Sequence, residues 1–207
     1  MKPEYIKPGE IEKRSFALIA QELGDRQLDP EQEPVIKRVI HTTADFDYAD
    51  TLHFTAHAVE RMQRAIREGA CIVTDTQMAK AGINKKELTR YGGEALCFMG
   101  DEDVAKEAAE RGITRAAVSM EKAAGLSGEL IFAVGNAPTA LMRLYELMEA
   151  GAIRPAGIIG VPVGFVNVVE AKEQILQADC PMIVARGRKG GSNVAAAICN
   201  ALLYAMR

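Results

Sequence analysis

Only three histidines occur in the 207 residues, so each can be weighed for chemistry. His41 ends Val35-Ile-Lys-Arg-Val-Ile-His-Thr-Thr43, beside two hydroxyls and three residues after Arg38. A histidine emerging from an apolar run at a helix end is a candidate acid or base, because imidazole titrates near neutral pH. The plainer reading is a helix-terminal side chain meeting the helix dipole. The pattern alone leaves both open. His53 and His57 stand four apart, a metal-ligand spacing on a helix. The residues between them are Phe-Thr-Ala, without the glutamate a zinc protease uses as its base. Glu60, Arg64 and Arg67 continue the same stripe, so the pair reads as the polar face of a helix, and no metal centre is expected.

Three loops could meet a ligand. Arg186-Gly-Arg-Lys-Gly-Gly-Ser192 gathers three cations and three glycines at the start of a helix, with Ser192 as its expected cap. Such a turn attracts carboxylates or phosphates. It matches neither GxxxxGK[ST] nor GxGxxG, and a solvated basic loop is the competing reading. Val161-Pro-Val-Gly-Phe-Val-Asn167 reads either as a turn whose backbone approaches a ligand or as a plain connection. Gly135-Asn-Ala-Pro-Thr139 places Asn136 as an N-cap, and its amides suit an anion. Asp45, Asp47 and Asp50 fail the EF-hand pattern and read as turn and capping residues. No serine or cysteine sits on a nucleophile elbow, and no carboxylate pair points to glycosidase chemistry.

The elements that position these residues follow from the apolar pattern. Residues 70–74, 95–99, 130–134, 157–161 and 181–185 are short runs, apolar on both faces and mostly followed by helical periods. Residues 101–111, 139–150 and 169–177 read as crossover helices, and 192–206 as a final helix. That alternation predicts an α/β fold: a mainly parallel sheet with helices on both faces. A helical N-terminal segment precedes it. Its first helix opens at Pro8-Gly9-Glu10 with Ile11, Phe16, Ile19 and Leu23 inward; a second runs from Pro30 to about Val39. The third spans Leu52 to Arg67, with Leu52, Val59, Met62 and Ile66 inward. No repeat or linker divides the chain, so one domain over residues 1–207 is expected.

Lys and Arg total 25 against 28 Asp and Glu, for a net charge of −3. This argues against a broadly basic nucleic-acid surface. The balance is uneven: residues 1–50 carry 11 acids and 7 bases, whereas Met182 to Arg207 carry four bases and no acid. Aromatic residues are 5% and tryptophan is absent, so the interior should be aliphatic. The start, Met1 to Ile6, lacks the apolar run of a secretory signal, and the longest charge-free stretch, Gly190 to Met206, is too short and polar to span a membrane. Cys71, Cys97, Cys180 and Cys199 show no zinc or redox spacing and read as buried thiols of a cytoplasmic protein. Pattern alone stops at an α/β enzyme for an anionic small molecule.

Four segments carry a resemblance: Arg38-Val-Ile-His-Thr-Thr-Ala-Asp45, Gly135-Asn-Ala-Pro-Thr-Ala-Leu141, Gly160-Val-Pro-Val-Gly-Phe-Val166 and Gly187-Arg-Lys-Gly-Gly-Ser192, together with the Ser15-Phe16 helix. In these the chain resembles the precorrin-8X (cobalt-precorrin-8) methylmutases of cobalamin biosynthesis, in family order and over nearly its whole length. The resemblance implies an isomerase that moves a methyl group between neighbouring ring-C carbons of a corrin precursor, giving hydrogenobyrinate or its cobalt form, with no organic cofactor. It places the family's essential histidine on His41 and its substrate-contacting serine and arginine on Ser15 and Arg38. It also implies a homodimer with the tetrapyrrole near the subunit interface. On this reading His41 protonates, or hydrogen-bonds to, a ring nitrogen, and Ser15 holds either the histidine or the substrate. Arg38, Arg188 and Lys189 form a cationic rim for the substrate carboxylates, and Phe165 is an apolar wall. The rivals are a non-catalytic tetrapyrrole carrier and a phosphate- or nucleotide-binding enzyme.

Overall fold

Five of the expected apolar runs form strands, because each can bury both faces between helices. The computed structural model describes Tyr5 and residues 7–207. Apart from Tyr5, the Met1–Ile6 start lies outside the described residues. In chain order the elements begin with α1 (Pro8–Leu23), α2 (Glu33–Thr43), α3 (Tyr48–Thr51), β1 (Leu52–Phe54), α4 (Ala58–Arg67) and β2 (Cys71–Thr74). Next come α5 (Gln77–Gly82), α6 (Lys85–Thr89), β3 (Ala95–Leu96), α7 (Glu102–Arg111), α8 (Arg115–Ala124) and β4 (Leu130–Val134). The chain ends with α9 (Pro138–Glu149), β5 (Gly157–Gly160), α10 (Val168–Ile175), β6 (Met182–Ala185) and α11 (Ser192–Tyr204).

The sheet order is β1-β6-β5-β4-β2-β3. Strands β2 to β6 run parallel, and β1 lies antiparallel on the β6 edge with Leu52 opposite Ala185 and Phe54 opposite Ile183. Alternation along each strand sorts the core into two layers. Ile72, Ile131, Ala133, Ile159 and Ile183 face α2, α4 and α11; Val73, Phe132, Val134, Ile158 and Val184 face α8, α9 and α10. The α/β reading with a mainly parallel, doubly covered sheet is therefore what the chain adopts. Helix α11, rich in alanine, lies between the sheet and α2, and its small side chains let both approach closely.

Several expected boundaries change. The third N-terminal helix does not span residues 52–67: residues 52–54 are β1, and only 58–67 are helical. The chain is held out of the helix by Thr55, whose amide donates to the Met182 carbonyl and whose Oγ1 accepts from the Met182 amide. His53 thus lies on an edge strand, and His57 precedes α4 at φ 55, so the two do not share a helical face. The second helix runs to Thr43 rather than Val39, which keeps His41 inside its last turn. Ile11 is 53% exposed rather than inward, and Cys71 is half-buried while the other three thiols are buried. Burial pushes the thiols of Cys180 and Cys199 up to about 12, which makes them inert at neutral pH.

Candidate functional site

The last turn of α2 and the middle of α1 meet at His41. Ser15 Oγ lies 2.9 Å from His41 Nδ1, so of the two partners open to Ser15 in sequence, the structure brings it to the histidine. Phe16 stacks on the imidazole at 5.2 Å between ring centroids and 14° between planes. The Arg38 guanidinium carbon sits 4.7 Å from the Phe16 centroid and 5.0 Å from that of Tyr204, at the end of α11. Arg38 also donates to Glu12 at 2.5 Å. The imidazole is therefore held by a hydroxyl and an aromatic ring that Arg38 also contacts, while His41 itself remains exposed. Among the described residues its Nε2 has no hydrogen-bond partner, and Nδ1 is the nitrogen Ser15 engages.

Helix α2 ends on Ala44 at φ 53, a left-handed conformation uncommon for a residue with a Cβ. This turn aims Asp45 and Asp47 at the basic loop. Lys189 Nζ binds Asp45 Oδ2 and Asp47 Oδ2, each at 2.6 Å. The lysine holds Asp45 below the usual carboxylate range, and the two carboxylates raise Lys189 in turn. Asp45 Oδ1 also accepts the Asp47 amide, the turn role expected of it. The aspartates therefore serve as anchors for the loop.

Of the three cations placed on a substrate rim, two are engaged by acids: Arg38 by Glu12, and Lys189 by two aspartates that leave its cluster net negative. Arg188 is exposed, and its guanidinium carbon lies 5.5 Å from the centroid of Phe165, itself 82% exposed. Val166 beside it is 77% exposed, so this loop presents cation and apolar surface together.

The crevice where an open α/β sheet usually takes its ligand is the switch point between strands whose connections run in opposite directions. Here it lies between β2 and β4, and the protein fills it. Asp75 is fully buried after β2; its Oδ1 accepts the Gly135 amide at 2.8 Å, and its Oδ2 those of Asn136 and Ala137 at 2.8 and 2.7 Å. Burial pushes Asp75 above its ordinary value, opposed by the three amides. The anion suited to this helix start is thus the chain's own carboxylate. Asn136 is not the cap of α9, and Ser192 is not that of α11; Ala137 and Gly191 hold those positions without side-chain bonds. Ser192 Oγ instead meets Thr76 Oγ1 at 2.8 Å. A single buried aspartate gives no periodic signal, which is why sequence reasoning passed over Asp75. Glu12 and Tyr204, far from His41 in sequence, gave none either.

Comparisons with known proteins identify the family. A family model described as precorrin-8X methylmutase matches residues 10–205. The chain is 46% identical to the cobalt-precorrin-8 methylmutase of Salmonella typhimurium, over 98% of each. It is 39% identical to the precorrin-8X methylmutase of Pseudomonas aeruginosa, over 96% of this chain and 97% of that one. A crystal structure of the Thermus thermophilus precorrin-8x methyl mutase superposes with a TM-score of 0.86 at 39% identity, covering 94% of this chain and 96% of that one. By model, relatives and fold alike, the chain belongs to the precorrin-8X methylmutase family, isomerases of cobalamin biosynthesis that catalyse a methyl migration.

Proposed function

We propose that this chain moves a methyl group between neighbouring ring-C carbons of precorrin-8X or its cobalt form, with His41 as proton donor and acceptor. The observation that carries the reading is the Ser15–His41 contact, which engages Nδ1 and leaves Nε2 of this exposed histidine free for substrate. A hydroxyl can donate or accept, so it serves Nδ1 in either tautomer and in the imidazolium. With Nε2 carrying the proton, His41 donates to a ring nitrogen and draws electrons from the macrocycle. The methyl then migrates with its bonding pair, the ring double bonds rearrange, and the proton returns to Nε2. No atom is gained or lost, as an isomerisation requires.

Arg188 is the first candidate for a substrate carboxylate, because it is exposed and lies on the apolar Phe165 wall. Arg38 and Lys189 would exchange Glu12, Asp45 or Asp47 for substrate carboxylates, and otherwise act as struts of the site. The homodimer implied by the resemblance belongs to the same proposal, and the exposed Val163, Phe165 and Val166 offer apolar surface to the macrocycle or the second subunit.

The test is His41→Ala with precorrin-8X and its cobalt form. Binding should persist while kcat falls by about 10²–10⁴, the usual contribution of a general acid or base. Full turnover by the variant removes His41 from the mechanism. Product in excess of enzyme in the wild type separates catalysis from carriage, and the two substrates compared side by side identify which form is used.

A further inference from the structure

Among the described residues, Lys172 is the one wholly buried lysine, and no carboxylate among them pairs with it. Its Nζ, reaching from α10, donates to the carbonyls of Gly187 and Lys189, both at 2.8 Å. These two carbonyls bracket Arg188, whose own carbonyl accepts the Gly164 amide at 3.2 Å. Three consecutive carbonyls of the basic loop are thus held from beneath. Just beyond, Gly191 N–H donates to the Val161 carbonyl at 2.8 Å, and a Cβ on Gly190, at φ +159, would lie 2.1 Å from that same oxygen. The loop is pinned on both sides of Arg188, which is exposed.

We propose that Lys172 is a positioning residue for the reaction: its buried ammonium sets the height and direction in which Arg188 meets the substrate. The inference rests on the functional reading above. Its geometric basis is that both acceptors lie on the loop and flank the one rim cation not engaged by an acid. A buried charge without a counter-ion is costly to keep. Two charge-assisted bonds to one loop are what it provides here.

The same burial gives the loop a pH response. Desolvation lowers Lys172 to about 8. The charged groups around it are engaged elsewhere: Glu173 of α10 with Arg186, Lys189 with Asp45 and Asp47, and Arg143 of α9 with Glu146. Glu170 of α10 is exposed, and neither it nor Tyr145 or Glu149 of α9 contributes to the shift. Losing the proton weakens both bonds to the loop, so substrate affinity should fall through the weakly alkaline range while the chemical step is spared.

The experiment compares wild type, Lys172→Met and Lys172→Arg by KM and kcat from about pH 7 to about pH 9, with amide hydrogen exchange of residues 186–191 in the free protein. In the wild type KM should rise across this range with kcat nearly constant. Lys172→Met, never charged, should show a KM raised by about tenfold at neutral pH, no inflexion, and faster exchange confined to the loop. Lys172→Arg, always charged, should keep a low KM without the inflexion. Wild-type KM and exchange in Lys172→Met would overturn the proposal, as would an inflexion that survives in Lys172→Arg. Because hydrogen exchange needs no substrate, a protein without turnover would sink the functional reading while exchange still decided the role of Lys172.

Discussion

The Ser15 hydroxyl engages Nδ1 of His41. Ser15→Ala should lower kcat by about five- to tenfold, the worth of one neutral hydrogen bond, with KM little changed; steady-state kinetics check it. The Lys189 clamp predicts a pH effect of definite sign. Asp45 titrates below its ordinary 3.8 in the folded protein, so its contribution to stability is present above that value and lost as pH falls through the lowered one. Asp45→Asn should lower the melting temperature near neutral pH and flatten its fall on acidification below about pH 4. Thermal unfolding across that range measures both. Asp75 is a different case, because the buried carboxylate answers three amides at once. Asp75→Asn opposes one or more of those N–H groups with a second donor and should cost about 1–3 kcal/mol, read as a drop in melting temperature.

Between elements, the chain leaving β4 packs closely against the start of α11. A Cβ on Gly135 would lie 2.7 Å from Ser192 Cα and 2.9 Å from the Gly191 carbonyl oxygen, both backbone atoms that cannot swing away. Gly135→Ala should therefore destabilise by about 1–3 kcal/mol, as overpacking does, and chemical denaturation would measure it. The five parallel strands were legible in sequence because apolar runs such as Leu130–Val134 separate clearly from the helical periods around them. β1 was not: three residues are too few for an alternating pattern, and its pairing depends on β6 far along the chain. The short α5 and α6 span fewer than two turns and were missed, as was α8, which follows α7 after only three residues. At the site, a histidine leaving an apolar run singled out His41. Its bond to Ser15 joins residues 26 apart in different helices; the family resemblance pointed to Ser15 but left open whether it holds the histidine or the substrate. Lys172 was invisible for a related reason. A lysine in an amphipathic helix reads as solvated, and only the loop folded over it shows otherwise.

At the scale of the molecule, the asymmetry in charge now has a structural use. The acids of the first fifty residues and the bases of the last segment meet at Lys189, Asp45 and Asp47. Part of the basic surplus is neutralised within the fold. The proposed homodimer has a direct check: sedimentation should give twice the 22.4 kDa of one chain, and a monomer active at the same rate would remove the second subunit from the site. The joining of α2 to α11 and of β1 to β6 also orders events in time. As the chain leaves the ribosome, β2 to β5 acquire neighbours that are close in sequence. Arg38 and Asp45, on either side of His41, must wait for Tyr204 and Lys189, which are made 144 or more residues later. Contacts of such separation form late and slow the final step of folding. A nascent chain can thus acquire most of its sheet before the surface around His41 is complete, so an unfinished copy lacks the proposed site.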